Sequence, residues 1–190
     1  MQSSAPMLVI VAGAPASGKS TLARRLAADL GMPMLSRDEL KERLADAIGA
    51  PTDVTGSSRL GAGAYAMLYH MAAALLGAGA SVVVESNFRR GLSERELRPL
   101  ASAAAGVLVH CMAPADVLER RYRQRFETGS RHVAHLDGQR AAALAHDLAA
   151  GRFEPLDLGL PLIRAEFDTT WSPRYEEIRE WITRAAGSGA

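Results

Sequence analysis

The segment Gly13–Thr21 reads GAPASGKST, and its match to G-x-x-x-x-G-K-[ST] constrains this chain more than any other feature. The apolar, β-branched run Met7–Ala12 precedes it and predicts a buried strand, while Leu22, Leu26 and Leu30 follow at the four-residue spacing of a helix. A glycine loop between a strand and a helix can turn its backbone N–H groups inward, beside the positive end of the helix dipole. The sequence therefore predicts a loop that binds the phosphates of a nucleoside triphosphate.

Every residue of this loop is assigned to the nucleotide. Lys19 is expected to reach the β- and γ-phosphates, and Ser20 is expected to offer its hydroxyl to Mg²⁺. The alternative is a glycine turn that merely links a strand to a helix, and the flanking pattern argues against it. The predicted nucleotide-binding residues are Gly13, Ala14, Pro15, Ala16, Ser17, Gly18, Lys19, Ser20 and Thr21.

Composition places the chain in a broad class. Its 190 residues suit a single domain, residues 1–190, and 48% hydrophobic with 23% charged residues is ordinary for a globular protein. A net charge of +1 gives no reason to expect a protein that coats nucleic acid. The single cysteine, Cys111, excludes an internal disulfide, and no basic start precedes the first apolar run, so we expect a cytoplasmic protein.

One stretch has the length of a membrane span, because no Asp, Glu, Lys or Arg occurs in residues 60–81. Glycines interrupt this stretch, and His70 lies near its middle. We therefore predict a buried helix around residues 64–76, with Met67 and Met71 as core residues, and no contact with a membrane.

Strands and helices alternate along the whole chain. This pattern predicts an α/β fold with a parallel sheet that helices cover on both faces. The carboxyl ends of parallel strands share one edge, where ligands bind. That edge would gather Gly13–Ser20, Ser36–Asp38, Glu85–Arg90 and Ala113–Asp116.

Asp38 follows the second predicted strand and is the candidate general base. A kinase needs a carboxylate there to accept the proton of an acceptor hydroxyl. The alternative is that Asp38 only complements the dipole of the next helix, for which Ser36 and Glu39 form a capping-box pattern. Arg37 and Lys41 flank the aspartate and could bind an anionic part of the acceptor, or could simply be solvated helix charges.

Glu85 ends the apolar strand 82–85 and is the candidate acid for Mg²⁺ or its water. Asn87 follows at once and could bind the acceptor or a phosphate, although an Asx turn explains it almost as well. Arg89 is assigned to the same acceptor site. We expect the acceptor pocket to be lined by Arg37, Lys41, Arg59, Tyr65 and the loop Asn87–Arg90.

An arginine-rich helix is expected after the fourth strand, within a lid at about residues 114–137. Arg121 and Arg125 are four residues apart and share one face, so they are assigned to the ATP phosphates and to transition-state charge. A solvated helix face is the alternative. His132 and His135, with Asp137, could suggest a metal site, but the sequence offers no partner cysteines and we do not favour it.

Together these motifs resemble the P-loop kinases related to phage polynucleotide 5′-hydroxyl kinase, a group that includes zeta-toxin-like kinases. The resemblance covers about residues 7–170 and implies a three-layer sandwich with a five-stranded parallel sheet in the order 2-3-1-4-5. It also implies that Asp38 is the base, that Arg37 contacts the acceptor, and that adenine lies near Asp168–Trp171. Polynucleotide kinases carry aspartate where this chain has Glu85.

The sequence thus favours an ATP-dependent kinase that uses Mg²⁺ and phosphorylates a hydroxyl of a small-molecule or nucleotide-like acceptor. A 5′-hydroxyl polynucleotide kinase is an alternative, less favoured because no basic groove is evident. A nucleotide-binding switch is the other alternative, but the guanine motif Asn-Lys-x-Asp is missing, since Phe88 and Arg89 follow Asn87. The oligomeric state and the acceptor are not predicted.

Overall fold

The computed structural model describes residues 5–127, 132–135 and 141–187. In chain order the elements are β1 (Met7–Gly13), α1 (Lys19–Leu30), β2 (Met34–Ser36), α2 (Arg37–Ile48), α3 (Val54–Gly77), β3 (Val82–Glu85), α4 (Glu94–Ser102), β4 (Ala105–Met112), α5 (Ala115–Glu127), α6 (Ala141–Ala149), β5 (Leu162–Phe167), β6 (Trp171–Ser172) and α7 (Tyr175–Gly187).

The sheet has the predicted order with one strand added. Its strands run β2-β3-β1-β4-β5-β6, and the first five are parallel. In the centre, Ile10 of β1 is in register with Val84 of β3 and Leu108 of β4. The two-residue β6 was not predicted; it pairs antiparallel with β5, where Phe167 is opposite Trp171.

Helices cover both faces of the sheet, which confirms the three-layer α/β sandwich. Side chains alternate along β1, so Leu8 and Ile10 belong to one core cluster and Val9 and Val11 to the other. The first cluster includes residues of α3 and α4, and the second includes residues of α1 and α7. This packing fixes the carboxyl ends of β1, β2 and β3 side by side.

The helix α3 differs from its prediction in length and burial. It begins at Val54, where the Asp53 side chain accepts a hydrogen bond from the Gly56 amide at 2.7 Å. Only one face is buried, and Met67 and Met71 are exposed, so their assignment to the core was wrong. Among the described residues, α3 is the one helix long and apolar enough to cross a membrane, by length and composition only.

The predicted capping box of α2 is not formed. The Ser36 hydroxyl makes no bond to the helix terminus and instead donates to Glu85 Oε2 at 2.8 Å. Glu39 pairs with Arg24 on the surface. Ser36 therefore bonds the Glu85 carboxylate at the end of β3, whereas the local pattern predicted a bond to the end of the helix.

Candidate active site

The loop between β1 and α1 has a backbone that favours glycine at both ends. Gly13 has a φ of +147° and Gly18 has a φ of +86°. A Cβ atom on Gly13 would also collide with the carbonyl oxygen of Cys111 in β4. Ala16 has a φ of 69°, which is uncommon for a residue with a side chain. The loop therefore curls tightly over the end of β1 and delivers the chain to the N-terminus of α1, where helices bind anions.

Ser17 and Lys19 are buried within this loop. Lys19 Nζ donates to the Ala14 carbonyl at 3.4 Å and lies 3.8 Å from Glu85 Oε1. Ser17 Oγ is buried and has no hydrogen-bond partner among the described residues. A buried hydroxyl without a partner is costly, and a phosphate oxygen would satisfy it. The loop thus fits the phosphates predicted for it, with Pro15 and Thr21 at its more exposed positions.

Glu85 connects the phosphate loop to the start of α2. Its Oε1 accepts from Ser20 Oγ at 3.2 Å, and its Oε2 accepts from Ser36 Oγ at 2.8 Å. The carboxylate is buried, with an exposed fraction of 2%. Hydroxyl and carboxylate oxygens are the ligands that Mg²⁺ prefers, so the pair Ser20 and Glu85 fits the predicted metal site.

The side chains of Arg37 and Asp38 lie together at the first turn of α2. Arg37 donates to Asp38 Oδ1 at 2.9 Å, and its guanidinium lies 5.1 Å from the centre of the Tyr65 ring. Both side chains are partly exposed, at 14% and 23%. Since Ser36 precedes this pair and bonds Glu85, which also bonds Ser20, the start of α2 lies at the same sheet edge as the phosphate loop. The role of Asp38 as base stays a prediction.

Tyr65 of α3 contacts the residues that follow β3. The Tyr65 hydroxyl shares a 2.8 Å hydrogen bond with Ser86 and donates to the Asn87 carbonyl at 3.3 Å. Burial raises the pKa of Tyr65, and the nearby positive charge of Arg37 opposes that rise. The phenol therefore remains protonated. Asn87 Oδ1 is buried without a hydrogen-bond partner in the described part of the chain, so it can accept from a ligand.

Arg121 reaches from α5 to the other side of the loop. Its guanidinium donates to the carbonyls of Ala16 at 3.4 Å and Phe167 at 3.1 Å, and also bonds the Asp168 carbonyl. The Phe167 and Trp171 rings stack at 4.5 Å, and a Cβ on Gly18 would lie 3.0 to 3.1 Å from them. Arg121 and the stacked rings therefore lie at residues 167–171, the region near which the resemblance implies that adenine binds.

The rest of the predicted lid is described only in part. Arg125 belongs to α5, but its side chain lies outside the described part of the chain, as do residues 128–131, 136 and 137. Arg125 stays a prediction. His132 and His135 contact carboxylates of α2, at 3.0 Å from Asp46 and 2.8 Å from Glu42. Within the described residues, no three His, Cys, Asp or Glu side chains form a metal site.

Lys41 and Arg89, both predicted to bind the acceptor, each contact another side chain of the protein. Lys41 is fully buried and donates from Nζ to Ser57 Oγ of α3 at 2.6 Å, so the prediction that it binds the acceptor was wrong. Arg89 pairs with Asp147 of α6 at 2.6 Å and remains half-exposed. Its acceptor role stays a prediction. Arg59 is exposed on α3.

The family model AAA_33, an AAA domain, matches residues 8–146. This range contains the phosphate loop, Asp38, Glu85 and all of α5, and it exceeds half of the 190 residues. The chain belongs to the AAA_33 family.

Solved structures support this assignment for the whole fold of the AAA_33 chain. A "putative kinase" from Chloroflexus aurantiacus is 38% identical, with a TM-score of 0.83, and the match covers 95% of this chain and 98% of that one. Kti12 from Chaetomium thermophilum, solved with ADP-AlF3, is 19% identical with a TM-score of 0.65 over 95% of this chain and 99% of its own. The resemblance to P-loop kinases is confirmed.

An uncharacterized protein of Mycobacterium tuberculosis is 31% identical over 154 residues, which cover 76% of this AAA_33 chain. The match spans only 30% of the mycobacterial protein. An uncharacterized protein of Mycobacterium bovis matches to the same extent. The AAA_33 chain thus corresponds to one part of larger relatives.

The sequence placed Ser36 and Ser86 at the ligand-binding edge but predicted neither the bond of Ser36 to Glu85 nor that of Ser86 to Tyr65. The local pattern predicts that Ser36 caps α2, and it gives Ser86 no role. Ser36 ends β2 and Ser86 follows β3, at the edge where the phosphate loop was expected. A polar residue at the carboxyl end of a strand of the AAA_33 sheet was the signal that could have identified their contacts.

Proposed function

We propose that this chain is an ATP-dependent kinase that transfers the γ-phosphoryl group to a hydroxyl of a small-molecule or nucleotide-like acceptor, with Asp38 as general base. The observation that carries the proposal is the chain of hydrogen bonds from Ser20 through Glu85 to Ser36. It joins the phosphate loop to the helix that begins with Arg37 and Asp38, so the donor and acceptor sides of the proposed phosphoryl transfer would be neighbours.

In the proposed reaction, the Asp38 carboxylate accepts the proton of the acceptor hydroxyl as its oxygen attacks the γ-phosphorus. The bond from that phosphorus to the β,γ-bridging oxygen breaks, and ADP leaves with the bonding electrons. Arg37 lies 2.9 Å from Asp38 and holds the carboxylate at the start of α2. A carboxylate fixed at the edge of a ligand site is well placed for proton transfer.

Charge on the transferred group would be balanced from the phosphate loop and from α5. Lys19 is buried beside the loop, and Arg121 reaches the Ala16 carbonyl from the other side. Arg125 would join them. Preorganised cations of this kind lower the barrier to phosphoryl transfer, and an arginine in the right place can contribute on the order of 10³-fold or more.

Ser20 and Glu85 would hold Mg²⁺. When bound, the ion supplies positive charge that neutralises the β- and γ-phosphates. The carboxylate lies 3.2 Å from the Ser20 hydroxyl, so both oxygens belong to one small region. Glutamate reaches one methylene further than aspartate, and Glu85 uses that length to contact both Ser20 and Ser36.

The acceptor would bind between Arg37, Tyr65 and Asn87. Asn87 offers a buried amide oxygen that can accept a hydrogen bond from a hydroxyl, and the hydroxyls of Tyr65 and Ser86 form one polar wall. The C. aurantiacus protein is described as a kinase, and its match covers nearly the whole of both chains. This similarity supports the same class of reaction.

The test is ADP release with ATP and Mg²⁺ across a panel of sugars, nucleosides, aminoglycosides and short 5′-hydroxyl oligonucleotides. With the acceptor that reacts, we expect Asp38→Asn to lower kcat about 10²- to 10⁴-fold while the Kd for ATP changes little. Asp157→Asn is the control, because Asp157 is an exposed aspartate in the loop between α6 and β5. It should turn over like the wild type.

Full activity of Asp38→Asn would exclude this aspartate as the base. If oligonucleotides alone react, with an affinity that falls steeply as salt rises, the chain is a polynucleotide kinase instead. If ATP binds and no acceptor in the panel reacts, the alternative of a nucleotide-binding switch gains support.

A further inference from the structure

A polar cluster outside the proposed reaction centre joins α2 and α3 to residues 132–135. Lys41 lies at its centre, one helical turn after Asp38, and its exposed fraction is 0%. A buried amine must be hydrogen-bonded to be tolerated. Its Nζ donates to Ser57 Oγ at 2.6 Å, and Ser57 is also fully buried.

Ser57 links Lys41 to the segment 132–135 through two hydrogen bonds. Its hydroxyl accepts from Lys41 and donates to the Ala134 carbonyl at 2.8 Å. A hydroxyl has a single hydrogen, so the lysine fixes the direction in which that hydrogen points. Ala134 is fully buried as well, and the two hydrogen bonds therefore lock one backbone carbonyl of the segment against α3.

Two histidines of the same segment contact carboxylates of α2. His132 Nε2 lies 3.0 Å from Asp46 Oδ1, and His135 Nε2 lies 2.8 Å from Glu42 Oε1. Glu42 and Asp46 are four residues apart and share one face of the helix. The Ala134 amide donates to His132 Nδ1 at 3.2 Å, so that nitrogen carries a lone pair and the proton of the ring lies on Nε2, facing Asp46.

The segment is tied covalently to the arginine helix. Glu127 ends α5, and His132 follows five residues later, which limits the distance between them to about 18 Å. Holding residues 132–135 on α2 therefore restrains the end of the helix that carries Arg121. The same α2 begins with Arg37 and Asp38, so one helix bears the proposed base and the anchor for the arginines.

We propose that Lys41, acting through Ser57, is a positioning residue that holds residues 132–135 on α2 and α3 and so keeps the arginine helix in register with Asp38. This role rests on the proposed kinase function for its effect on rate. Its structural part stands apart from that function, because it rests on the hydrogen bonds that join Lys41, Ser57 and Ala134.

Two variants test the proposal. Lys41→Met keeps a long unbranched side chain and removes the donor, and Ser57→Ala removes the hydroxyl with a residue that favours helix. Their controls are Arg95→Met, an arginine with a 90% exposed side chain on α4, and Ser58→Ala, the exposed neighbour of Ser57. Amide hydrogen exchange is measured for the peptide that contains residues 132–135, and kcat, KM and the Kd for ATP are measured alongside.

We expect both variants to speed exchange at residues 132–135 at least tenfold and to lower kcat at least tenfold, with the Kd for ATP within twofold of wild type and the controls unchanged. Unchanged exchange in Ser57→Ala would overturn the proposal. Faster exchange with full kcat would overturn its positioning part. If Lys41→Met does not fold, Ser57→Ala decides alone. A wild-type protein without kinase activity refutes the proposed function, and the exchange rates still decide whether the cluster holds the segment.

Discussion

The guanidinium of Arg37 packs against the backbone of Gly61 in α3, in space that any side chain at residue 61 would occupy. A Cβ atom there would collide with Arg37 Nη2. In this position the guanidinium also lies over the Tyr65 ring and bonds Asp38. The glycine therefore gives Arg37 its place beside the proposed base.

Gly61→Ala should separate stability from activity. Alanine stabilises a helix interior by about 1 kcal/mol relative to glycine, and the atom it meets is the flexible end of a side chain. We expect an unchanged or higher Tm together with a KM for the acceptor raised about tenfold, because Arg37 is displaced. Steady-state kinetics and thermal unfolding measure the two effects.

Gly63→Ala is the matched control on the same helix. Its Cβ would meet only Leu44, at an ordinary 3.8 Å. It should raise Tm as much and leave KM unchanged. Equal KM values for the Gly61 and Gly63 variants would show that Arg37 has no part in acceptor binding.

Arg121→Lys should weaken the use of ATP. Lysine carries a point charge and cannot reproduce the fork with which arginine bonds the carbonyls of Ala16 and Phe167. We expect kcat/KM for ATP to fall roughly 10- to 100-fold, in line with the known contribution of arginines to phosphoryl transfer. Arg120→Lys, at an exposed neighbour that pairs with Asp116, is the control. Similar losses in both variants would point to a general effect of α5.

Glu85→Gln should raise the Mg²⁺ concentration needed for half-maximal rate. The amide keeps an oxygen for Ser20 but loses the charge that attracts a cation. We expect at least a tenfold increase, about 1.4 kcal/mol. Glu119→Gln, on the exposed face of α5, should leave the Mg²⁺ titration unchanged. A Glu85→Gln curve that superimposes on the wild type would remove this residue from the metal site.

His110 in β4 should make the fold sensitive to acid. Burial lowers the pKa of this histidine, while Glu154 raises it and Arg164 lowers it further. The unfolded chain, with an ordinary pKa of about 6.5, then binds a proton that the folded chain resists. Stability is therefore undiminished above that value and falls as the pH drops below it, towards the lowered pKa of the folded state.

The comparison that isolates this effect is the Tm of wild type against His110→Leu between pH 7.5 and 5.5. We expect the difference in Tm to shift in favour of the leucine variant as the pH falls. A difference that stays constant over this range would show that His110 does not resist protonation in the folded state.

The phosphate-loop segment and the parallel α/β sheet could be predicted because each depends on patterns of residues close together in the chain, whereas the strand order was implied by the resemblance to P-loop kinases. A strand followed by a glycine loop and a helix encodes its own geometry, and alternating strands and helices lead to a parallel sheet with one ligand-binding edge. The motifs at Gly13–Thr21, Asp38 and Glu85 mark positions on that edge. These motifs therefore predicted the family and the edge of the sheet at which the proposed site lies.

The tertiary structure decided which side chains meet across long separations. Ser36 and Glu85 are 49 residues apart, and local propensity assigned the serine to a helix cap that does not form. Lys41 fits a solvated helix face in the sequence, yet it is buried on Ser57 because α3 packs over it. The sequence alone determined the chemistry available at the sheet edge. Only packing decided which partners each polar group finds, because a buried polar group must be hydrogen-bonded wherever the fold places it.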